Sequence, residues 1–239
     1  MVGQCELWRI LSRLNELLIA GGRRFYHPPI PNLKQDRDIE HSWVAAHLRE
    51  GRGCALDFGC QGEWMGLLAA RKGWETLALD QQEVADPCVH PRLKFMQGDI
   101  LEVSLPTAHF DVVINCSTVE HVGLAGRYGV TTHRPDGDLE AMARLRNFMK
   151  PGGIMLLTVP VGRDHVYLPL HRIYGANRLP QLLDGWHVLK KEYWTKDSDN
   201  RWILADEKSA LGLETTDYFY ALGLFVLERP TLSPEETRV

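Results

Sequence analysis

Residues 54–80 read CALDFGCQGEWMGLLAARKGWETLALD, which predicts a strand, a tight turn, a helix and a second strand. The first strand ends at Asp57, and Gly59 and Gly62 bracket the turn. Glycines let a backbone approach a ligand closely, and the N-terminus of the following helix offers free N–H groups. Asp80 ends the second strand and suits hydroxyl recognition at the carboxyl edge of a parallel sheet.

The size and charge of the chain indicate an ordinary globular protein. With 239 residues, a net charge of −4 and a pI near 6.2, the chain can bury one substantial core and lacks the basic surface of a nucleic-acid-binding protein. Its five cysteines form no CxxC pair, which favours reduced thiols and a cytoplasmic location. We expect no membrane span, because no apolar run is long enough, and the first residues do not resemble a signal peptide.

The N-terminal part predicts helices that precede the first strand. Apolar residues recur at helical spacing from Leu7 to Ala20, and Ile39 to Leu48 predicts a second helix. We therefore expect a helical cap over residues 1–50 and a second domain over residues 51–239. A homodimer through the N-terminal helices is a possibility that this pattern leaves open.

Strands and helices continue to alternate after Asp80. Further strands are predicted at Leu93–Met96, Phe110–Cys116, Ile154–Val159, Val188–Trp194 and Tyr218–Leu227, and further helices at Gly137–Met149 and Arg178–Leu183. The order predicts an α/β fold, a doubly wound Rossmann-like sheet of seven mixed strands with its ligand at the carboxyl ends. The last two strands follow one another without a clear helix, so they are expected to form a terminal antiparallel pair.

These motifs, in this order, resemble the class I S-adenosylmethionine-dependent methyltransferases. The resemblance runs from about Cys54 to Trp186 and rests on LDFGCQGEW, LALD, QGDI, FDVVINCSTVEHV and the KPGG turn before IMLLTVP. A dinucleotide dehydrogenase is the alternative that the glycine turn alone leaves open. The family's turn commonly reads D-x-G-C-G-x-G, whereas this chain reads DFGCQGE at residues 57–63. Either one residue is missing from the turn, or Gln61 and Glu63 replace two of the glycines.

The resemblance implies a set of cofactor-binding residues. Asp57, Gly59 and Gly62 would form the turn near the methionine portion, Asp80 would hold the ribose hydroxyls, and Asp99 with Ile100 would flank the adenine. The alternative for Asp80 and Asp99 is simple capping of strand ends. The full implied set is Asp57, Gly59, Cys60, Gln61, Gly62, Asp80, Gln81, Asp99, Ile100 and Cys116.

Histidines after the fourth and fifth strands are candidates for catalysis. Methyl transfer to a hydroxyl needs alignment and a proton acceptor, and histidine is the natural base near neutral pH. Our first candidate is His121 beside Glu120, followed by His171 and then His165, which lie on a predicted loop. With histidine as the base, turnover should fall as the pH drops through its titration range.

A divalent metal is a second possibility at the same place. Some methyltransferases of ubiquinone and small-RNA pathways hold a metal with an E-x-x-E-H segment, and this chain has Ser117-x-x-Glu120-His121. Serine in place of the first acid removes a charged ligand, so we assign no metal ligands.

Two segments carry a closer resemblance. Asn115–Gly129 and Val159–Trp186 resemble a poorly characterised methyltransferase-like family, some of whose members lie among polysaccharide-building genes. That resemblance implies O-methylation of a small-molecule or carbohydrate hydroxyl, and the charge of the chain disfavours a nucleic-acid partner. The alternative is a non-catalytic scaffold that assists a biosynthetic partner, because the turn at Gln61 and Glu63 departs from the family's pattern.

Overall fold

A computed structural model describes residues 17–18, 36–61, 64–84 and 87–231. The chain divides into two compact units, residues 1–32 and 33–239. Of the first unit, the described residues are Leu17 and Leu18, which are helical. The rest of the predicted helix Leu7–Ala20 lies outside the described residues, as does Gly62 of the predicted cofactor turn.

The second unit is built around one large mixed sheet. Its described strands and those of a small hairpin are β1 (Cys54–Phe58), β2 (Glu75–Asp80), β3 (Leu93–Gln97), β4 (Phe110–Cys116), β5 (Met149–Val161), β6 (His165–Tyr167), β7 (His171–Ile173), β8 (His187–Lys196), β9 (Trp202–Ala205) and β10 (Ala221–Glu228). The sheet order is β3-β2-β1-β4-β5-β10-β8-β9, and β6 pairs with β7 separately. Strands β1 to β5 pair in parallel, while β10, β8 and β9 pair antiparallel.

Helices cover both faces of this sheet. They are α1 (Asp36–His47), α2 (Trp64–Arg71), a short 3-10 helix (Val119–His121), α3 (Gly137–Phe148), α4 (Arg178–Leu182) and α5 (Glu207–Leu211). The central strand β4 shows why: Val113 packs with α3 in one core, whereas Ile114 packs with α1 and α2 in another. Successive strand residues point to opposite faces, so a strand that is apolar throughout needs cover on both. The predicted doubly wound α/β fold is confirmed.

The structure adds two features to the predicted arrangement. Strand β9 forms a hairpin with β8, so the described sheet has eight strands where the sequence predicted seven. The segment with His165 and His171 is a two-stranded hairpin rather than a loop, with Tyr167 opposite His171. Strands of three or four residues carry too little periodicity to be recognised in a sequence.

Candidate functional site

One cavity lies along the carboxyl ends of the parallel strands. It has a volume of about 520 Å³, and residues that end or follow β1, β2, β3 and β4 form its walls. Ligands of doubly wound sheets bind at this edge because the loops after neighbouring strands diverge there. The cavity is therefore the candidate functional site.

Nine of the ten predicted cofactor residues line this cavity. They are Asp57, Gly59, Cys60, Gln61, Asp80, Gln81, Asp99, Ile100 and Cys116. The tenth, Gly62, lies outside the described residues. The sequence thus brings these positions to one place, and their roles toward a cofactor stay predictions.

The turn after β1 is fixed by the end of β2. The carboxylate of Asp80 accepts hydrogen bonds from the backbone N–H of Gln61 at 3.0 Å and from that of Gln82 at 2.8 Å. The backbone N–H of Gly59 donates to the carbonyl of Leu79 at 2.8 Å. Each carboxylate oxygen has a second lone pair, so Asp80 can hold the turn and still accept from a ligand hydroxyl.

Gly59 is required by both conformation and space. Its φ is +78°, a left-handed value that favours glycine. A Cβ at this position would lie 2.1 Å from the Thr118 side chain, so the loop after β4 packs directly on the turn after β1. This contact closes the floor of the cavity between the two strands.

Asp57 is a buried acid at the floor. Only 3% of its surface is exposed, and Oδ2 lies against the backbone of Gly66 without a well-aligned hydrogen bond from the described residues. Burial, assisted by the nearby charge of Asp80, raises the pKa of Asp57 to about 7, and the Gly66 N–H partly opposes that rise. A buried carboxyl group with a raised pKa favours a cationic ligand group over a neutral one, because the cation stabilises the ionised carboxylate.

Asp99 and Ile100 form the wall after β3. Asp99 accepts the backbone N–H of Leu101 through Oδ1 at 2.9 Å, which makes a local turn. Ile100 is buried, and its carbonyl accepts Nε of Arg144 at 2.6 Å. The wall therefore combines an apolar side chain with a carboxylate that keeps one oxygen for other contacts.

His121 lies on the wall after β4, with 18% of its side chain exposed. Its Nδ1 is 2.6 Å from the carbonyl of Leu170, so neutral His121 carries its proton on Nδ1 and donates it to that carbonyl. This leaves Nε2 as an acceptor. Burial lowers the pKa of His121 to about 4, and the charges of Arg127, His171 and Arg37 act in the same direction.

Glu120 lies behind His121 and is fully enclosed. Its Oε1 is 3.7 Å from Nε2 of His121, whereas Oε2 has no hydrogen-bond partner in the part of the chain that the structure describes. Burial raises the pKa of Glu120 to about 8, and the buried Glu40 adds to the rise. At neutral pH the proton of this pair therefore resides on Glu120 and not on His121.

The other two histidine candidates lie away from the cavity lining. His171 is buried beside His121, with 6.3 Å between their ring centroids, and also contacts Tyr220. Burial lowers its pKa to about 4. His165 is exposed on β6, where it packs on Tyr167. The geometry thus brings His121 to the cavity, His171 behind it, and His165 to the outside of the hairpin.

Sequence reasoning missed three side chains of the wall. They are Arg37 and His41 from α1 and Trp64 from the start of α2. Tyr128, in the loop after β4, was expected from the sequence to line the same opening, and it does. His41 stacks on Trp64 with 5.3 Å between centroids. The available signal was the i, i+4 spacing of Arg37 and His41, which places them on one face of a helix.

Neither a metal-binding cluster nor a membrane-spanning helix is found in the described ranges 36–61, 64–84 and 87–231. No group of three or more His, Cys, Asp or Glu side chains there is arranged to hold a metal ion. No helix in those ranges is long and apolar enough to cross a membrane.

A family model described as "Caenorhabditis protein of unknown function, DUF268" matches residues 100–219. This chain belongs to the DUF268 family. The matched part runs from the loop after β3 to the segment just before β10 and includes His121 and the β6–β7 hairpin.

This DUF268 protein also has relatives with named functions. A probable S-adenosylmethionine-dependent methyltransferase of Mycobacterium tuberculosis is 30% identical over 167 residues, which cover 62% of this chain and 56% of the relative. The chain thus spans little more than half the length of that relative. The sequence-based resemblance to S-adenosylmethionine-dependent methyltransferases is confirmed by this match and by the fold comparisons.

Solved structures share the fold at low identity. The 1,6-didemethyltoxoflavin-N1-methyltransferase of Burkholderia thailandensis, with bound S-adenosylhomocysteine, has a TM-score of 0.52 and 14% identity over 93% of this chain and 90% of its own. The [4+2]-cyclase SpnF has a TM-score of 0.56 and 15% identity over 82% of each chain. The fold is therefore that of class I methyltransferases, and the cyclase indicates that this fold also supports another reaction.

The buried titratable groups predict how the stability of this DUF268 protein depends on pH. Asp57 and Glu120 hold protons up to about pH 7 and 8 in the folded chain but lose them near 4 when unfolded, so rising pH destabilises the fold. His121 and His171 have pKa values of about 4 in the folded chain, so between pH 4 and 6.5 they bind protons mainly when the chain is unfolded. Over this range, rising pH stabilises the fold through these two residues. The two effects offset one another below pH 6.5, and only the destabilisation remains above it.

We therefore expect the free energy of unfolding to fall between pH 6.5 and 8. The slope from Glu120 alone is about 1.4 kcal/mol per pH unit. Glu120→Gln should remove that contribution, whereas Glu102→Gln, on an exposed side chain, should leave the slope unchanged. Urea unfolding at pH 6.5, 7.2 and 8 measures the free energy of unfolding of the unmodified chain and the two variants. Identical slopes in all three proteins would contradict the burial of a protonated Glu120.

Proposed function

We propose that this protein transfers a methyl group from S-adenosylmethionine to an acceptor. The observation that carries the proposal is the cavity at the carboxyl ends of β1 to β4, with Asp80, Asp99 and the Gly59 turn on its wall. The mycobacterial relative supports the same activity through its name. Since the chain spans little more than half of that relative, the activity of the whole protein is part of the proposal.

The residues of the cavity fit the chemical groups of this cofactor. Asp80 suits the ribose diol, because a carboxylate accepts two hydrogen bonds at once. Asp99 and Ile100 suit a purine, through an acceptor for its amino group and an apolar contact for its ring. Asp57, with its raised pKa and a buried oxygen, suits the ammonium of the amino-acid portion. When bound, the cofactor supplies an electrophilic methyl group on a sulfonium.

His121 is the residue we propose for proton handling. Its Nδ1 is held by the carbonyl of Leu170, so Nε2 is the available acceptor. Accepting a proton there would place a cation 3.7 Å from Oε1 of Glu120, which is protonated at neutral pH while His121 is neutral. The cation would favour ionisation of Glu120, and the resulting carboxylate would stabilise it. The side chain of Tyr128 is edge-on to the His121 ring at 5.6 Å and restricts its orientation. His171 is proposed as the second choice, acting from behind His121.

We propose a hydroxyl of a small molecule or carbohydrate as the acceptor. Methylation of a hydroxyl needs a base that takes the hydroxyl proton, and neutral His121 can be that base. An uncharged amine does not need one, because it can lose its proton after transfer. N-methylation is the alternative, because the toxoflavin enzyme of the same fold is an N-methyltransferase. Comparing methyl transfer to pooled sugars, phenols and amines, with tritiated S-adenosylmethionine, distinguishes the two.

A non-catalytic binding module is the second candidate function. The turn has Gln61 and Glu63 where the family commonly has glycines, and the same fold is found in a cyclase. Calorimetry with S-adenosylhomocysteine separates the candidates. Binding in the micromolar range supports the methyltransferase, whereas absence of heat and of any thermal shift supports the scaffold.

Domain organisation and setting are proposed with the same function. We propose a helical cap over residues 1–50, a catalytic domain over residues 51–239, a cytoplasmic location, and a homodimer through the N-terminal helices. Size-exclusion chromatography with light scattering tests the dimer directly.

Asp80→Ala should weaken S-adenosylhomocysteine binding by about 1–3 kcal/mol, the usual cost of losing a buried polar partner. The affinity of Asp80→Asn should lie between that of Asp80→Ala and that of the unmodified chain, because the amide keeps one acceptor oxygen. Asp199→Ala, in the turn between β8 and β9, serves as the control and should bind like the unmodified chain. Isothermal titration measures all four, and unchanged affinity of Asp80→Ala would remove Asp80 from the ribose role.

A further inference from the structure

Helix α1 contributes a guanidinium to the cavity wall. Arg37 lines the cavity near the end of β4, and its side chain is 51% exposed. One of its nitrogens, Nη1, donates to Oε2 of Glu40 at 2.8 Å. Nε and Nη2 have no hydrogen-bond partner in the described part of the chain. Arg37 thus presents donors that none of the residues described by the structure uses.

Glu40 fixes the position of that guanidinium. This carboxylate is fully buried, yet it lies between donors: the hydroxyl of Ser117, the hydroxyl of Thr158 at 2.8 Å, and Arg37. Burial raises its pKa, and Arg37 and the two hydroxyls oppose the rise. Ser117 follows β4 and Thr158 lies in β5, so the network joins α1 to the ends of two neighbouring strands.

Such a buried network is unusual for a helix that only covers the sheet. A buried carboxylate is costly unless donors surround it, and an apolar side chain would pack α1 on the strands at lower cost. What the network adds is a fixed place for Arg37, since Glu40 is one turn away on the same face of the helix. Planar guanidinium groups held in this way recognise carboxylates through paired N–H donors.

The sheet sets the direction in which a ligand would lie. The diol-binding candidate Asp80 ends β2, and Arg37 lies by the end of β4, with β1 and its Gly59 turn between them. Two strand spacings amount to about 10 Å. The extended amino-acid tail of S-adenosylmethionine has a reach of that order, and its carboxylate is the group farthest from the ribose.

We propose that Arg37, held by Glu40, Ser117 and Thr158, binds the α-carboxylate of the methyl donor and of its product. This assignment rests on the proposed function and deepens it. Helix α1 is then part of the donor site, and Glu40 is a positioning residue that acts through Arg37.

Two ligands that differ at this carboxylate test the assignment. S-adenosylhomocysteine has the amino-acid tail, whereas 5′-methylthioadenosine keeps the adenine, ribose and sulfur and lacks the tail. Arg37→Gln should lower the affinity for S-adenosylhomocysteine about 10- to 100-fold and leave that for 5′-methylthioadenosine unchanged. Arg37→Lys should retain part of the affinity, because it keeps the charge without the paired donors. Arg52→Gln is the matched control, since Arg52 precedes β1 at the opposite edge of the sheet.

The outcomes separate the assignment from the function on which it rests. A selective loss of affinity for S-adenosylhomocysteine in Arg37→Gln supports the assignment of Arg37 to the carboxylate. A smaller selective loss in Glu40→Gln supports the positioning role of Glu40. Equal losses for both ligands would make Arg37 structural, and no loss would assign its guanidinium to the acceptor; either result overturns the proposal. Failure of the unmodified protein to bind either ligand refutes the methyltransferase function itself.

Discussion

His121→Ala is expected to lower turnover about 10²- to 10⁴-fold, the usual contribution of a general base. Affinity for S-adenosylhomocysteine should stay within about threefold, because the predicted donor contacts come from α1 and from the ends of β1, β2, β3 and β4, and not from this ring. Steady-state kinetics with an acceptor found in the screen give the first quantity, and isothermal titration gives the second.

A histidine far from the cavity provides the matched control. His187 is exposed at the start of β8, near Glu228, and His187→Ala should retain full turnover. Full turnover in His121→Ala as well would leave positioning alone as the mechanism. Loss of cofactor binding in His121→Ala would instead make this residue structural.

The burial of His121 changes the pH range in which the base should fail. An ordinary histidine would lose activity between pH 7 and 6, but the pKa of His121 is about 4. Its neutral form therefore persists down to about pH 5, and turnover limited by this group should fall only between pH 5 and 4. A pH–rate profile of the acceptor reaction measures this, and an inflection near 6.5 would assign the base to another histidine.

The positions of the predicted cofactor residues follow from local sequence patterns. A strand that ends in an acid, as at Asp57 and Asp80, places that acid at the carboxyl edge whatever the rest of the chain does. Because parallel strands share this edge, residues that are 20 to 60 positions apart come together without any knowledge of their contacts. This is why nine predicted residues line one cavity.

The electrostatics of the site could not be predicted in the same way. Glu40 contacts Thr158, which is 118 positions away, and no local pattern links them. The pKa shifts of Glu120 and His121 result from burial, together with charges on α1 and, for His121, the Leu170 carbonyl and His171 of the β6–β7 hairpin. The hairpin itself was missed because each of its strands has three residues. Its most buried polar residue, Arg172, is for that reason also absent from the sequence-based set.

Arg172→Met is expected to destabilise the protein by about 3–5 kcal/mol, the usual cost of breaking a buried charged network. Arg172 is 2% exposed and donates to the carbonyls of Val122 at 2.7 Å, Arg134 at 3.0 Å and Pro135 at 3.1 Å. It also lies 3.5 Å from the buried carboxylate of Asp138. One side chain thus satisfies several acceptors of the segment between the 3-10 helix and α3.

That segment forms the His121 wall of the cavity, so the loss should reach the site as well as the fold. Arg178→Met is the matched control, because Arg178 also contacts the carboxylate of Asp138 but its side chain is 21% exposed. Removing Arg178 should cost about 1–2 kcal/mol of unfolding free energy, since water replaces part of its contacts. Arg172→Lys should be intermediate, since an ammonium reaches fewer of the carbonyls than a guanidinium does. Urea unfolding of the four proteins measures the difference. Equal losses in Arg172→Met and Arg178→Met would mean that Asp138, rather than the loop carbonyls, is what Arg172 stabilises.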